Sequence, residues 1–265
     1  SDFAKLCVII FLATMISRMP KQMRKFSTVI RVVVMVLPIV AVIAINNLST
    51  AIIIFCITMG LIFIAHPKVK PFLIAAGVGI VLIIIFVMIL SSSLETSSSF
   101  RLRRILVWLH PEDFASGDGY QTIQALYAIG SGGFLGRGLG NSIQKLGSVP
   151  EAQNDMIFSI VCEELGILGG IILLLLFAYL LYRLFFIAQN APDLFGSLMV
   201  SGIFIHIALQ VIFNIAVVLN LMPNTGVTLP FVSYGGTSIV FLMSEMGLAL
   251  SVARQIKFKE PERLL

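Results

Sequence analysis

Charge is the scarcest property of this 265-residue chain: only 12% of its residues are Asp, Glu, Lys or Arg, against 58% hydrophobic, and the mean hydropathy is +1.03. Soluble domains carry roughly a quarter charged residues, so an ordinary globular fold is excluded. Cysteine is nearly absent. Cys7, Cys56 and Cys162 lie in or beside apolar runs without metal-ligand spacing, so a disulfide scaffold and a zinc module are both excluded. The three histidines, at 66, 110 and 206, are scattered and form no His-Glu-x-x-His pattern. No Gly-x-x-x-x-Gly-Lys-Ser/Thr loop is present, and no internal repeat. The formal charge of +5 does not point to nucleic acid. In so apolar a chain, Lys and Arg mark the cytoplasmic ends of spans and contacts to anionic membrane lipid.

What the chain has instead is long apolar blocks. Only a helix or a closed barrel satisfies its own backbone in lipid, and continuous runs favour helices over the alternation of a barrel. The expected fold is an all-α, polytopic membrane helix bundle of about seven transmembrane helices, at 3–17, 29–45, 50–65, 72–90, 156–188, 196–219 and 233–252. It is read as one membrane domain over 1–265, with a long structured extracytoplasmic loop at 91–155. The first run is short and has no initiating Met, which leads us to expect a fragment that has lost upstream spans.

Basic residues set the orientation. Arg18, Lys21, Arg24, Lys25, Arg31, Arg183 and Arg254 fall on one side with the basic C-terminus. Most basic residues of the other side fall within one long loop, which counts little in the positive-inside rule. The loops 91–155 and 220–232 are therefore expected outside the cell. The long loop opens on a serine-rich hinge at 91–99 and has a candidate interfacial helix at 120–129, with Tyr120, Ile123, Leu126 and Tyr127 on one face. Its glycines, Gly136, Gly138 and Gly140, suit tight turns or close approach to a ligand; the soluble strand and helix of a dinucleotide site are missing. Arg101, Arg103, Arg104, Arg137 and Lys145 each read singly as solvated charge or headgroup contact, and together as an anion site suited to a lipid diphosphate.

Asp155 ends a polar stretch and opens the longest apolar run. It reads either as a helix cap or as a general base beside a membrane-bound substrate. Glu163 and Glu164 follow two turns later, where charge must face the bundle interior or a wet cavity. His206, Gln210 and Asn214 recur every four residues, forming a stripe suited to interhelical hydrogen bonds. Glu245 lies mid-run in the last span, with no partner that the sequence can name.

Two strings are highly specific. The first runs from Gly119-Tyr-Gln through Gly136-Arg-Gly-Leu-Gly-Asn-Ser-Ile-Gln-Lys145 and Pro150-Glu-Ala-Gln-Asn-Asp155-Met-Ile-Phe158 to Glu163-Glu-Leu-Gly166. The second is Met222-Pro-Asn-Thr-Gly-Val-Thr-Leu-Pro-Phe-Val-Ser-Tyr-Gly-Gly-Thr-Ser238. On these the chain resembles the SEDS family (FtsW, RodA and SpoVE), FtsW most of all.

The resemblance implies the fourth to tenth spans of a ten-span protein of the bacterial cytoplasmic membrane. It implies a peptidoglycan glycosyltransferase that polymerises lipid II on the outer face, in division or cell-shape control. Asp155 falls on the family's essential aspartate, so catalysis then outweighs capping. The candidate diphosphate and lipid II contacts are Arg101, Arg103, Arg104, Arg137, Lys145, Gly136, Gly138 and Glu151. Glu163, Glu164, Glu245 and His206 have no assigned role. No cofactor is implied with certainty, a divalent cation is left open, and a class B penicillin-binding protein and other division or elongation proteins are implied as partners. The chain departs from the family pattern at Asn47, where an acid is usual, at Asp2, where Glu is usual, and at Met156, where Phe is usual. A lipid II flippase and a non-catalytic division-complex scaffold are the competing readings.

Overall fold

The structure, a computed structural model, describes residues 2–67, 100–117, 119–146 and 152–256. The expected span 72–90 and Glu151 lie outside the described residues, as do the side chains of 100–103 and 146. The described residues are helical with no strand. In chain order the helices are α1 (Asp2–Arg18), α2 (Phe26–Asn46), α3 (Leu48–Ala65), α4 (Phe100–Leu109), α5 (Tyr120–Gly132), α6 (Ile157–Asn190), α7 (Leu194–Val218) and α8 (Gly236–Arg254). Five of them, α2, α3, α6, α7 and α8, are long and apolar enough to cross a membrane. α1 follows the first expected run but has only 17 residues, so a count of seven spans is not reached among the described residues.

The ends follow local chemistry. Asn47, whose backbone is extended between α2 and α3, caps α3 by accepting from Thr50 N–H at 3.0 Å. Asn47, expected above to depart from the family pattern, therefore serves as a helix cap. Hydroxyls within the apolar helices turn back on their own backbone: Thr58 donates to the Ile54 carbonyl at 2.8 Å.

The chain groups into two compact units. One comprises Ser1–Pro67, Ala178–Ala208 and Gly236–Leu265; the other comprises Lys68–Phe177 and Leu209–Gly235. In the first unit, α1 packs on α3 and α8, and α2 on α3. Its core is built from Ile9, Leu12 and Ile16 of α1, Ile53, Ile57 and Leu61 of α3, and Ile203 of α7, all buried. Lys5 is buried near the start of α1 and pairs with Asp2 at 2.7 Å.

The second unit holds α4, α5 and the start of α6, together with the end of α7 and the loop that follows it. The expected helix at 120–129 is present as α5. It buries Thr122, Ala125, Ala128 and Gly132, and leaves Leu126 and Tyr127 exposed.

α6 departs from expectation. Its 34 residues would run about 51 Å at 1.5 Å per residue, well beyond a core of roughly 30 Å. It is not continuous, because Gly166 has φ 70° and ψ −173°. A half-helix up to Leu165 precedes the break, and the part after it is about 36 Å long by the same rise.

Candidate active site

Three segments meet around Asp155, all in the second unit. Asp155 is buried in the turn two residues before α6. Gln121, near the start of α5, donates from its amide to Asp155 Oδ1 at 3.4 Å. The Gln121 carbonyl oxygen accepts from Asn224 Nδ2 at 2.9 Å, and Asn224 Oδ1 accepts from Gly226 N–H at 2.9 Å. With its oxygen engaged by Asn224, Gln121 presents its NH2 group to the carboxylate.

Backbone is held as firmly as side chain. Asn214 is fully buried on α7 and its amide donates to the Asp155 carbonyl at 2.6 Å and to the Val227 carbonyl at 2.9 Å. Ser233 Oγ donates to the Asn154 carbonyl at 2.5 Å and accepts from Leu229 N–H at 2.7 Å. Tyr234 N–H donates to the Gln153 carbonyl at 2.8 Å. The 220–235 loop thus grips the peptide on the N-terminal side of Asp155 residue by residue.

Of the expected cations, Arg104 belongs to this cluster, its guanidinium donating to the Asn224 carbonyl at 3.5 Å. Arg101 and Arg103 lie on α4 with it. One turn after Arg104, Trp108 Nε1 donates to the Asn220 carbonyl at 3.1 Å, fixing α4 against the 220–235 loop.

Arg137 and Lys145 belong to a second cluster. Arg137 lies 3.6 Å from Glu163, and Lys145 lies 3.8 Å from Glu164. Both glutamates are buried while both cations keep exposed surface, so each acid faces inward and carries its partner at the rim.

The glycines serve this second cluster. The break at Gly166 frees backbone groups of α6, and the 133–138 stretch satisfies them. Arg137 N–H donates to the Glu163 carbonyl at 3.0 Å and Gly138 N–H to that of Glu164 at 2.9 Å. In return, Ile167 N–H donates to the Gly133 carbonyl at 3.0 Å and Leu168 N–H to that of Phe134 at 3.4 Å. Irregular backbone at membrane depth survives only where protein supplies such partners. A Cβ on Gly136 would lie 2.2 Å from the Glu164 carbonyl oxygen, and one on Gly166 would lie 2.4 Å from Gly136 N. The close approach expected of Gly136 is therefore to the chain's own backbone. Gly136 and Gly138 both have positive φ, the tight turns expected of them.

In the first unit, His206 and Glu245 find each other. Nδ1 lies 2.9 Å from both carboxylate oxygens, with both residues buried. Among the described residues no group of three or more His, Cys, Asp or Glu side chains could hold a metal ion.

Sequence reasoning missed Gln121, Asn224 and Ser233 as site residues. Their signal was position: each is a polar residue inside one of the two ordered loop strings.

A helical membrane protein whose polar machinery is concentrated in structured connecting loops is the class that this geometry defines. A family profile described as "Cell cycle protein", covering FtsW, RodA and SpoVE, matches residues 1–258, and the chain belongs to that family. Stage V sporulation protein E of Bacillus subtilis is 39% identical over 97% of this chain and 69% of its own length. A probable peptidoglycan glycosyltransferase FtsW of the same organism is 37% identical over 99% of this chain and 66% of its own. The chain thus spans about two thirds of these relatives. Among solved structures, a chain of a peptidoglycan synthase complex, described as coordinating polymerization and crosslinking, superposes with TM-score 0.75 at 25% identity, over 98% of this chain and 70% of that one. RodA of Thermus thermophilus superposes with TM-score 0.61 at 26% identity, over 97% and 66%.

Proposed function

We propose that this chain carries the catalytic region of a peptidoglycan glycosyltransferase that polymerises lipid II at the outer face of the bacterial cytoplasmic membrane. The observation that carries this reading is Asp155, a buried carboxylate held by donors from α5 and α7 where the two family strings meet. The relatives named as peptidoglycan glycosyltransferases support it.

In the reaction, a sugar hydroxyl of one lipid-linked disaccharide attacks the anomeric carbon of another. Asp155 takes the hydroxyl proton as the new C–O bond forms, and the bond to the diphosphate breaks with its electron pair leaving on oxygen. An α-linked donor and a β-linked product require inversion, hence a single displacement with no covalent enzyme intermediate. Arg104, with Arg101 and Arg103 on the same helix, is the group of cations assigned to the departing diphosphate. Arg137 and Lys145, with exposed surface beside buried acids, form a second basic rim for the polyprenyl diphosphate headgroup. A class B penicillin-binding protein is the partner that would crosslink the product, a reading supported by the synthase complex among the structural relatives.

The test is polymerisation of lipid II by purified protein in detergent, where there is no membrane to cross. Glycan strands support the enzyme. Their absence, combined with lipid translocation in liposomes, would establish the flippase instead.

A further inference from the structure

Glu163 takes no part in the chemistry above, yet its side chain meets four hydrogen-bond donors and a guanidinium. It is fully buried. Its carboxylate accepts from Ser142 Oγ at 2.5 Å, Ile143 N–H at 3.2 Å, Ser131 Oγ at 3.4 Å and Gln144 N–H at 3.4 Å, with Arg137 3.6 Å away. Ser142 Oγ is itself fixed by Lys145 N–H at 3.0 Å. These donors come from both ends of the 131–145 stretch, which doubles back through positive-φ turns at 136, 138 and 140. Successive backbone N–H groups and hydroxyls converging on one pair of oxygens form an anion nest. Here the anion is supplied by the chain itself.

The position of this carboxylate gives it leverage. Glu163 lies in the last turn before the break at Gly166, and Asp155 lies just ahead of the first turn of the same half-helix. Whatever holds the 163 end sets the tilt of the short rod that presents Asp155 to substrate. We propose that Glu163 is a positioning residue: its carboxylate fills the nest built by Ser131, Arg137, Ser142 and the 143–144 amides, clamping the 131–145 loop to the half-helix that carries Asp155. The activity consequence rests on the reading of Asp155 as the base; the nest itself does not.

Truncating this side chain empties a carboxylate-shaped site while its donors stay in place, so a small carboxylate can refill it. Glu163→Ala is expected to lower kcat roughly 100-fold, the scale of a misplacement of about 1 Å, with a smaller rise in KM. It should also speed hydrogen exchange at the Ile143 and Gln144 amides. Formate should reverse both effects. Glu163→Gln keeps the volume but turns an NH2 group toward donors, so it should be impaired and unresponsive to formate. If Glu163→Ala does not fold, Ser142→Ala removes the shortest contact and must still speed exchange at those two amides. Wild-type exchange in these variants, or a Glu163→Ala enzyme indifferent to formate in both readouts, would overturn the proposal. If the wild-type chain makes no glycan, the reading of Asp155 fails, and the exchange response to formate alone still decides the role of Glu163.

Discussion

Asn214 lets the site be weakened without touching Asp155. Its amide makes two hydrogen bonds to carbonyls of different loops, at Asp155 and Val227, and it is fully buried. Its own Oδ1 is buried with no partner among the described residues. Asn214→Leu, nearly isosteric, therefore removes two buried hydrogen bonds at about 1–3 kcal/mol each and relieves one orphaned oxygen at a similar figure. The net loss is about 1–3 kcal/mol, concentrated on the peptide that carries Asp155. Since each 1.36 kcal/mol on the barrier is tenfold in rate, kcat should fall roughly 10- to 100-fold if the loss appears in the reacting geometry. Asn214→Asp should fall further, because it turns carboxylate oxygens toward two carbonyls. The assay is single-turnover glycan synthesis in detergent, with folding checked by size exclusion. Wild-type kcat in a well-folded Asn214→Leu protein would refute the claim that this side chain positions Asp155.

His206→Leu should destabilise the protein by about 3–5 kcal/mol, since it leaves Glu245 buried without its partner. His206→Leu with Glu245→Leu should recover to within about 1 kcal/mol of wild type or above it; denaturant unfolding in micelles would show this, and additive losses would contradict it. Gly166→Ala should displace the 133–138 loop and abolish activity, because a Cβ there meets Phe134 and Gly136 backbone at 2.4 Å and φ is +70°. Gly247→Ala has open space around the added methyl and should stabilise α8 by roughly 0.5–1 kcal/mol, measured the same way.

Helix positions were legible because lipid makes them so: an apolar run must satisfy its own backbone, and α2, α3, α7 and α8 end within a few residues of where the runs do. Asp155 stood out at the junction of a polar string and an apolar one, but only the family resemblance favoured catalysis over capping there. The break in α6 was not, because Gly166 looks like Gly169 and Gly170 in sequence. Only its opposition to Gly136 sets it apart. Pairing was equally hidden. Nothing local matches Glu163 with Ser142, or His206 with Glu245 thirty-nine residues away. The cost of buried charge predicted only that such acids must find partners. The same partners changed the reading of Arg137 and Lys145, which sequence alone grouped with Arg101, Arg103 and Arg104 as one anion site.

The central claim is tested most directly by lipid II polymerisation with Asp155→Asn, a change that keeps the volume of the side chain and removes its basicity. With Asp155 as the base, the variant makes no glycan strands while it elutes and melts like wild type and still binds lipid II. Strand synthesis at a rate near wild type would remove Asp155 from the chemistry.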